Sequence, residues 1–323
     1  MRRCTVLAVL GLALAGALAP GRALAADKPF RVGVASLVNP RSAPQFVALE
    51  ERLGQLLSAA GRELVIDFMV LDGDADRYPA AMRELVSRQP DVLIAPGPEV
   101  SLKAARAATQ TIPIVMIAVD YDAVARGYVQ SLARPGGNIT GVYLDTVDVA
   151  AKRVEILKET APGTSRFIVL WDASGADSFK LTVPAAEALG VQLRPVEFRD
   201  APYDYEKALA SASPTAGDAL LCMLSPYFFH DRQQLDALAL RHKLPSMCGG
   251  VDSGGLVAYS ASLNALFAKA AEYVDKIRQG AKPGDLPIEG PTRFKLVLDL
   301  RFAKALGLTI PPAILARADE VIE

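Results

Sequence analysis

From Phe30 onward, short apolar stretches alternate with longer amphipathic ones, and the alternation runs through the chain twice. Strands alternating with helices argue for parallel sheets covered by helices on both faces, because a parallel return needs a crossover of about a dozen or more residues. The spacing predicts strands over 30–37, 63–71, 92–95 and 114–119, with helices over 43–60, 78–88 and 99–109 between them. That is one complete doubly wound α/β unit. The segment Leu132-Ala133-Arg134-Pro135-Gly136-Gly137-Asn138 then reads as turn chemistry, with a proline fixing φ and two glycines permitting positive φ.

A second series follows, with helices over 150–160, 178–189, 205–211 and 231–242 and strands over 167–171, 192–198, 219–224 and 246–249. The remainder breaks the pattern: a short apolar stretch over 256–260, a long amphipathic helix over 263–279, a loop rich in Pro and Gly over 280–291, then a strand over 294–300 and a helix over 302–306. Two α/β lobes with elements left over at the end imply that the chain passes between the lobes more than once. A hinge of several strands follows, suited to closing around a ligand.

Composition limits what such a chain can do. With 51% hydrophobic residues and a net charge of −1 it folds, into about two domains for its length. A pI near 6.2 without any basic block argues against nucleic acid as a partner. Ahead of the first strand, Arg2 and Arg3 precede an apolar run over 6–19, Pro20 and Gly21 break it, and Ala23-Leu24-Ala25 supplies the small residues a signal peptidase reads. Cleavage is expected after Ala25. The run is short for a bilayer span, and Cys4 precedes it and so is not a lipid-attachment cysteine. The mature chain is expected to be exported, soluble and periplasmic.

Export leaves Cys222 and Cys248 in an oxidising compartment, near the ends of consecutive strands. A disulfide demands a specific geometry that neighbouring parallel strands often fail to offer, so two buried free thiols are the preferred reading. A zinc site adding His230 and His242 matches no ligand spacing, and the two histidines read as surface or capping residues. Asp72-Gly73-Asp74-Ala75-Asp76 resembles the start of a calcium loop, but Arg83 stands where the twelfth-position Glu belongs. Asp74 or Asp76 is expected to cap the next helix instead. No phosphate-binding loop, nucleophile elbow or H-E-x-x-H occurs, and Ser36-Leu37-Val38-Asn39-Pro40 lacks the glycines of a dinucleotide fingerprint. Neither a metal nor a cofactor is expected, and no catalytic residue is assigned.

Ligands of open α/β sheets bind beyond the carboxyl ends of the strands. The residues there are Ser36 and Asn39; Pro96, Gly97, Pro98 and Glu99; Asp120 and Tyr121; Trp171, Asp172 and Ser174; Ser225 and Tyr227; and Gly250 and Asp252. Together they can stack a ring on Trp171, Tyr121 or Tyr227 and meet a cation with Asp120 or Asp252. Ser36 and the amides near Gly97 can meet an anion. They supply no nucleophile with its base.

The run Ser131-Leu132-Ala133-Arg134-Pro135-Gly136-Gly137-Asn138-Ile139-Thr140-Gly141-Val142 resembles the exported substrate-binding proteins of ABC transporters, in the branch that includes tryptophan- and tyrosine-type binding proteins. The helix from Ala151-Lys152-Arg153 to Leu157-Lys158 and Gly254-Gly255-Leu256 carry the likeness too. So does the C-terminal run from Tyr273-Val274-Asp275-Lys276-Ile277 through Ala281-Lys282-Pro283 and Leu286-Pro287 to Ala303–Pro312. The resemblance implies a type I periplasmic-binding fold: two Rossmann-like lobes joined by three crossovers, with a ligand cleft between them. It places the crossovers near 138–142, 254–259 and 289–294, and the lobes at 26–139 plus 258–290 and at 140–257 plus 291–323. It further implies a non-catalytic monomer that takes a small, aromatic or amino-acid-like ligand and delivers it to a membrane permease. A sensor docking a chemoreceptor or kinase, or an exported enzyme, are the alternatives. One departure stands out: Gly249-Gly250-Val251-Asp252-Ser253 occupies a stretch that is Arg- and Glu-rich in relatives.

Overall fold

The computed structural model describes residues 28–323 except 145–146, 214–216, 249 and 252–253. The expected leader and Asp252 therefore lie outside the described residues. The first half runs β1 (Phe30–Ser36), α1 (Pro44–Ala59), β2 (Leu64–Val70), α2 (Tyr78–Ser87), β3 (Val92–Gly97), α3 (Glu99–Ala108), β4 (Ile114–Val119) and β5 (Ile139–Leu144). Its five strands form one parallel sheet in the order β2-β1-β3-β4-β5. The period of two sorts their side chains to opposite faces. Val32, Val34, Ile94, Val115 and Ile117 join one core with Phe46, Leu49, Leu53 and Leu57 of α1. Leu93, Ala95, Ile114, Met116 and Ala118 join another with α2 and α3.

The second half runs α4 (Val147–Thr160), β6 (Arg166–Trp171), α5 (Ala176–Ala188), β7 (Gln192–Glu197), α6 (Tyr205–Leu209), β8 (Asp218–Cys222), α7 (Pro226–His230), α8 (Arg232–Arg241), β9 (Ser246–Cys248) and β10 (Val257–Ser260). It ends with α9 (Leu263–Arg278), β11 (Lys295–Asp299), α10 (Leu300–Leu306), α11 (Pro312–Leu315) and β12 (Glu320–Ile322). The second parallel sheet has the order β7-β6-β8-β9, and a small sheet β10-β11-β12 packs with it. Helix α9 returns to the first lobe. Its Leu266, Phe267, Ala270, Ala271 and Val274 recur at helical spacing and share the core of α1.

The three passages between lobes are visible, and two lie away from their expected places. Ile139–Leu144 pairs in register with β4, so the first passage follows Leu144 and is not at 138–142. Gly141 makes that pairing possible: its φ is +138°, and a Cβ there would sit 2.1 Å from the Met116 carbonyl oxygen. The second passage lies between Ser260 and Leu263, because Val257–Ser260 is zipped antiparallel to β11 in the second lobe. Glu289 bridges beside Val142 before the chain crosses to Lys295, where the third passage was expected. The lobe boundaries at 139/140 and 257/258 shift with the first two passages.

The free-thiol reading of the cysteines is also corrected. Cys222 and Cys248 are direct register partners at the ends of β8 and β9, with Cα atoms 4.5 Å apart, and they form a disulfide. Behind it, the buried Arg153 of α4 donates from Nη2 to the Cys222 carbonyl oxygen at 2.9 Å. Asp74 caps the 3-10 turn Ala75–Arg77, its Oδ1 accepting the amide of Asp76 at 3.0 Å, and not α2 as expected, whose N-cap Arg77 makes no side-chain capping bond.

Candidate functional site

The carboxyl ends of β1, β3 and β4 face those of β6 and β8 across an interlobe cleft. Two adjoining cavities occupy it, sharing Pro98, Val119 and Ser174 in their walls. The inner one is narrow and apolar, about 80 Å³, with Phe46 and Phe267 on one side and Phe228 and Phe229 on the other. Ser36, Asn39, Gln45, Pro96, Gly97 and Ser225 complete its lining. Phe46 is held edge-on between Phe68 at 4.8 Å and Phe267 at 5.2 Å, so this wall is rigid.

The outer cavity is wider, about 440 Å³, and acidic. Among the described residues its walls carry the carboxyl groups of Glu99, Asp120, Asp172, Asp177 and Glu197 against the guanidinium groups of Arg126 and Arg199. The two cations are already engaged: Arg126 meets Asp177 at 2.9 Å and Arg199 meets Glu197 at 2.8 Å. Asp172 is buried and satisfied three times over. Its Oδ1 accepts the Ser174 amide at 2.8 Å, and its Oδ2 accepts the Tyr203 hydroxyl at 3.0 Å and the Ser225 hydroxyl.

Asp120 is held differently. Its backbone adopts φ +64°, in the left-handed region, which turns the chain sharply off the end of β4 and sends the carboxyl inward, where only 5% of the residue remains exposed. Oδ1 accepts the Ser178 hydroxyl from α5 of the other lobe. Burial pushes the carboxyl up to about 7, aided by nearby Asp177 and opposed by the Ser178 hydrogen bonds and by Arg153. Burial also pushes the Arg153 guanidinium down, to about 10.

Among the described residues, contacts that join the lobes over the cleft include Ser178 to Asp120, Arg126 to Asp177, and the Tyr227 hydroxyl, which donates to the Gly73 carbonyl oxygen at 2.5 Å. The structure is thus a closed arrangement, with latches on both sides of the outer cavity.

Of the residues predicted from strand ends, Ser36, Asn39, Gly97, Pro98, Glu99, Asp120, Tyr121, Asp172, Ser174, Ser225 and Tyr227 line one cavity or the other. Trp171 lines neither: it stacks on Phe179 of α5 at 4.7 Å and 7°, half-buried against the second lobe's core. Gly250 packs against Ser260 of β10, also away from the cavities. Gln45, Phe46, Phe267, Phe228, Phe229 and Tyr203 were not anticipated. Phe46 and Phe267 sit near the N-terminal ends of α1 and α9, where amphipathic spacing marks them only as core. Phe228 and Phe229 adjoin the predicted Tyr227 and carried the clearest available signal. No group of three or more potential metal ligands occurs among the described residues, and no described helix is long and apolar enough to cross a membrane.

Two doubly wound lobes, three passages between them and a cleft at opposed strand ends define a type I periplasmic-binding fold. Within that class the chain belongs to the ABC transporter substrate-binding protein family, whose profile matches residues 33–322. It is similar to a tyrosine-binding protein of Clostridioides difficile, 26% identical over 255 residues that cover 77% of this chain and 72% of the relative. The fold is similar to that of a conserved domain protein from Vibrio cholerae, with TM-score 0.78, 26% identity and coverage of 91% of this chain and 100% of the other. It is similar too to an ABC domain from Streptococcus pneumoniae solved with L-Trp, with TM-score 0.75, 23% identity and the same coverage. The family is one of substrate-binding proteins.

Proposed function

We propose that this chain is the exported, monomeric receptor of an ABC importer, which captures an aromatic amino acid or a close relative by hinge closure and hands it to a membrane permease. One observation carries the reading: a ring-lined apolar cavity opens directly into a carboxylate-lined polar one, both enclosed between two lobes. A ligand with a flat apolar end and an ammonium fits that order. Its ring would pack among Phe46, Phe228 and Phe267, and its ammonium would face Asp120. A ligand carboxylate would meet Ser36 and the start of α3, where the backbone emerges from Gly97 at φ +84°. The tyrosine-binding relative supports the same ligand class. Trp171, packed against the second lobe's core, takes no role in this assignment.

The test is a thermal-shift screen of the chain starting at residue 26 against amino acids, aromatic acids, nucleosides and sugars, followed by calorimetry and small-angle scattering. Aromatic amino acids are expected to raise Tm, by an amount equivalent to about 2.7 kcal/mol at a hundredfold excess over Kd. A shift given only by sugars or nucleosides would overturn the ligand class. A bound ligand that leaves the scattering profile open would overturn the closure.

A further inference from the structure

We infer that Gln45 selects among aromatic ligands, its side-chain carbonyl accepting a hydrogen bond from a donor on the ligand's ring, so that the cleft is built for an indole or a phenol and against a plain phenyl ring. The inference rests on the aromatic reading above and adds to it the residue that reads the ring.

Gln45 is the second residue of α1, directly after Pro44, and only 4% of it is exposed. It lines the apolar cavity. Its Oε1 is fully buried and accepts no hydrogen bond, and among the described residues lining that cavity it is the one such buried, unpartnered polar atom. The helix makes no use of it either: the N-cap is Ala43, and no side chain caps α1. Buried polar groups in folded proteins are nearly always paired, because the lost hydration is not otherwise recovered. A Leu or Met would fill the same volume beside Phe46 without that cost.

The surroundings say what the missing partner is. The neighbouring rings of Phe46, Phe228, Phe229 and Phe267 offer no donor. Ser225, in the same wall, is committed: its hydroxyl donates to Asp172 and its oxygen accepts the Tyr227 amide. Ser36, Asn39 and Ser174 also line this cavity, but none of them donates to Gln45 Oε1 in the closed structure, which leaves the ligand to bring the donor on the part that enters the apolar cavity. For an aromatic amino acid the part there that can carry a donor is the ring, since the carboxylate only accepts and the ammonium belongs with the carboxyl groups of the outer cavity. An indole N–H or a phenol O–H supplies a donor at the ring edge, and a phenyl group supplies none. A pocket that pairs a ligand donor rejects the analogue lacking it, because the acceptor is then left unpaired.

The experiment is calorimetry of the chain starting at residue 26 with L-tryptophan, L-tyrosine, L-phenylalanine and 1-methyl-L-tryptophan. It uses the wild type, Gln45→Met, which keeps the length without the acceptor, and Gln45→Glu, which keeps an acceptor. The wild type is expected to bind tryptophan or tyrosine at least about tenfold more tightly than phenylalanine. For the favoured ring, Gln45→Met is expected to lose about tenfold while its phenylalanine affinity holds or improves, and Gln45→Glu is expected to retain the preference. A preference unchanged in Gln45→Met would overturn the inference and leave the aromatic reading standing. Equal weakening for all ligands would do the same, since Gln45 would then read a group common to them. If Gln45→Met does not fold, the wild type still decides: where tryptophan is the favoured ligand, equal affinity for it and its 1-methyl form overturns the inference. Where tyrosine is favoured, its O-methyl ether serves in the same way. Failure of the wild type to bind any of these amino acids would overturn the aromatic reading, and Gln45's role with it.

Discussion

Replacing Asp120 by Asn removes a carboxyl whose protonation the closed cleft controls. Burial raises it from 3.8 to about 7, so between those values the folded protein holds a proton that the unfolded chain has released. The sign follows from linkage: the contribution is fully present below about pH 4 and is lost as pH rises through about 7. A rise of about three units, at roughly 1.4 kcal/mol each, makes the ionised carboxyl cost about 4 kcal/mol at pH 8. The Asn amide stays neutral throughout and still accepts from Ser178. Urea unfolding of the unliganded wild type and the variant, run from pH 4 to pH 8, measures the difference. The two are expected to be similar at pH 4, with the variant ahead by up to about 4 kcal/mol at pH 8. Asp236, which burial also raises, to about 6, is common to both proteins and cancels. A gap between the two proteins that stayed constant across this range would refute the reasoning.

Cys222→Ser combined with Cys248→Ser opens a loop of 26 residues, for which chain entropy gives a loss of about 3.5 kcal/mol. An unchanged urea midpoint would show that the bridge does not constrain the unfolded chain. Tyr227→Phe deletes the bond to the Gly73 carbonyl oxygen and is expected to shift the closed-to-open ratio by about fivefold, for a hydrogen bond worth about 1 kcal/mol. Fluorescence energy transfer between labels on the two lobes reads that shift, and an unaltered ratio would remove Tyr227 from the latch.

Legibility in the sequence followed periodicity. Phe46, Leu49, Leu53 and Leu57 announce the buried face of α1, and β6 and β8 announce themselves as apolar runs. β5 was missed because Gly141 interrupts it, and the reason for that glycine, the close approach of Met116, exists only once the two strands are paired. The cysteine pairing was hidden for a related cause: register between β8 and β9 depends on loops whose lengths do not reveal it. Trp171 could have been placed correctly. Phe167, Val169 and Trp171 alternate along β6 and share one face, which points the indole into the core and away from the cleft. Strand ends led to most of the polar residues that line the two cavities, because topology alone puts them there. They said nothing of Gln45, Phe46 or Phe267, which reach the cleft from helices, one of them encoded far along the chain.

That distance bears on how the protein comes into being. The apolar face of α1 is complete at Leu57, yet the helix that covers it begins at Leu263, roughly 200 residues later. During synthesis at about 5–20 residues per second, the first lobe exposes an open hydrophobic stripe for on the order of ten seconds or more. Its core closes only after most of the second lobe has been made. Neither lobe is a contiguous unit that can fold ahead of the other, so each must await contacts between residues far apart in the chain, which slows folding. A chain wired in this way leaves apolar surface accessible to chaperones until nearly all of it exists.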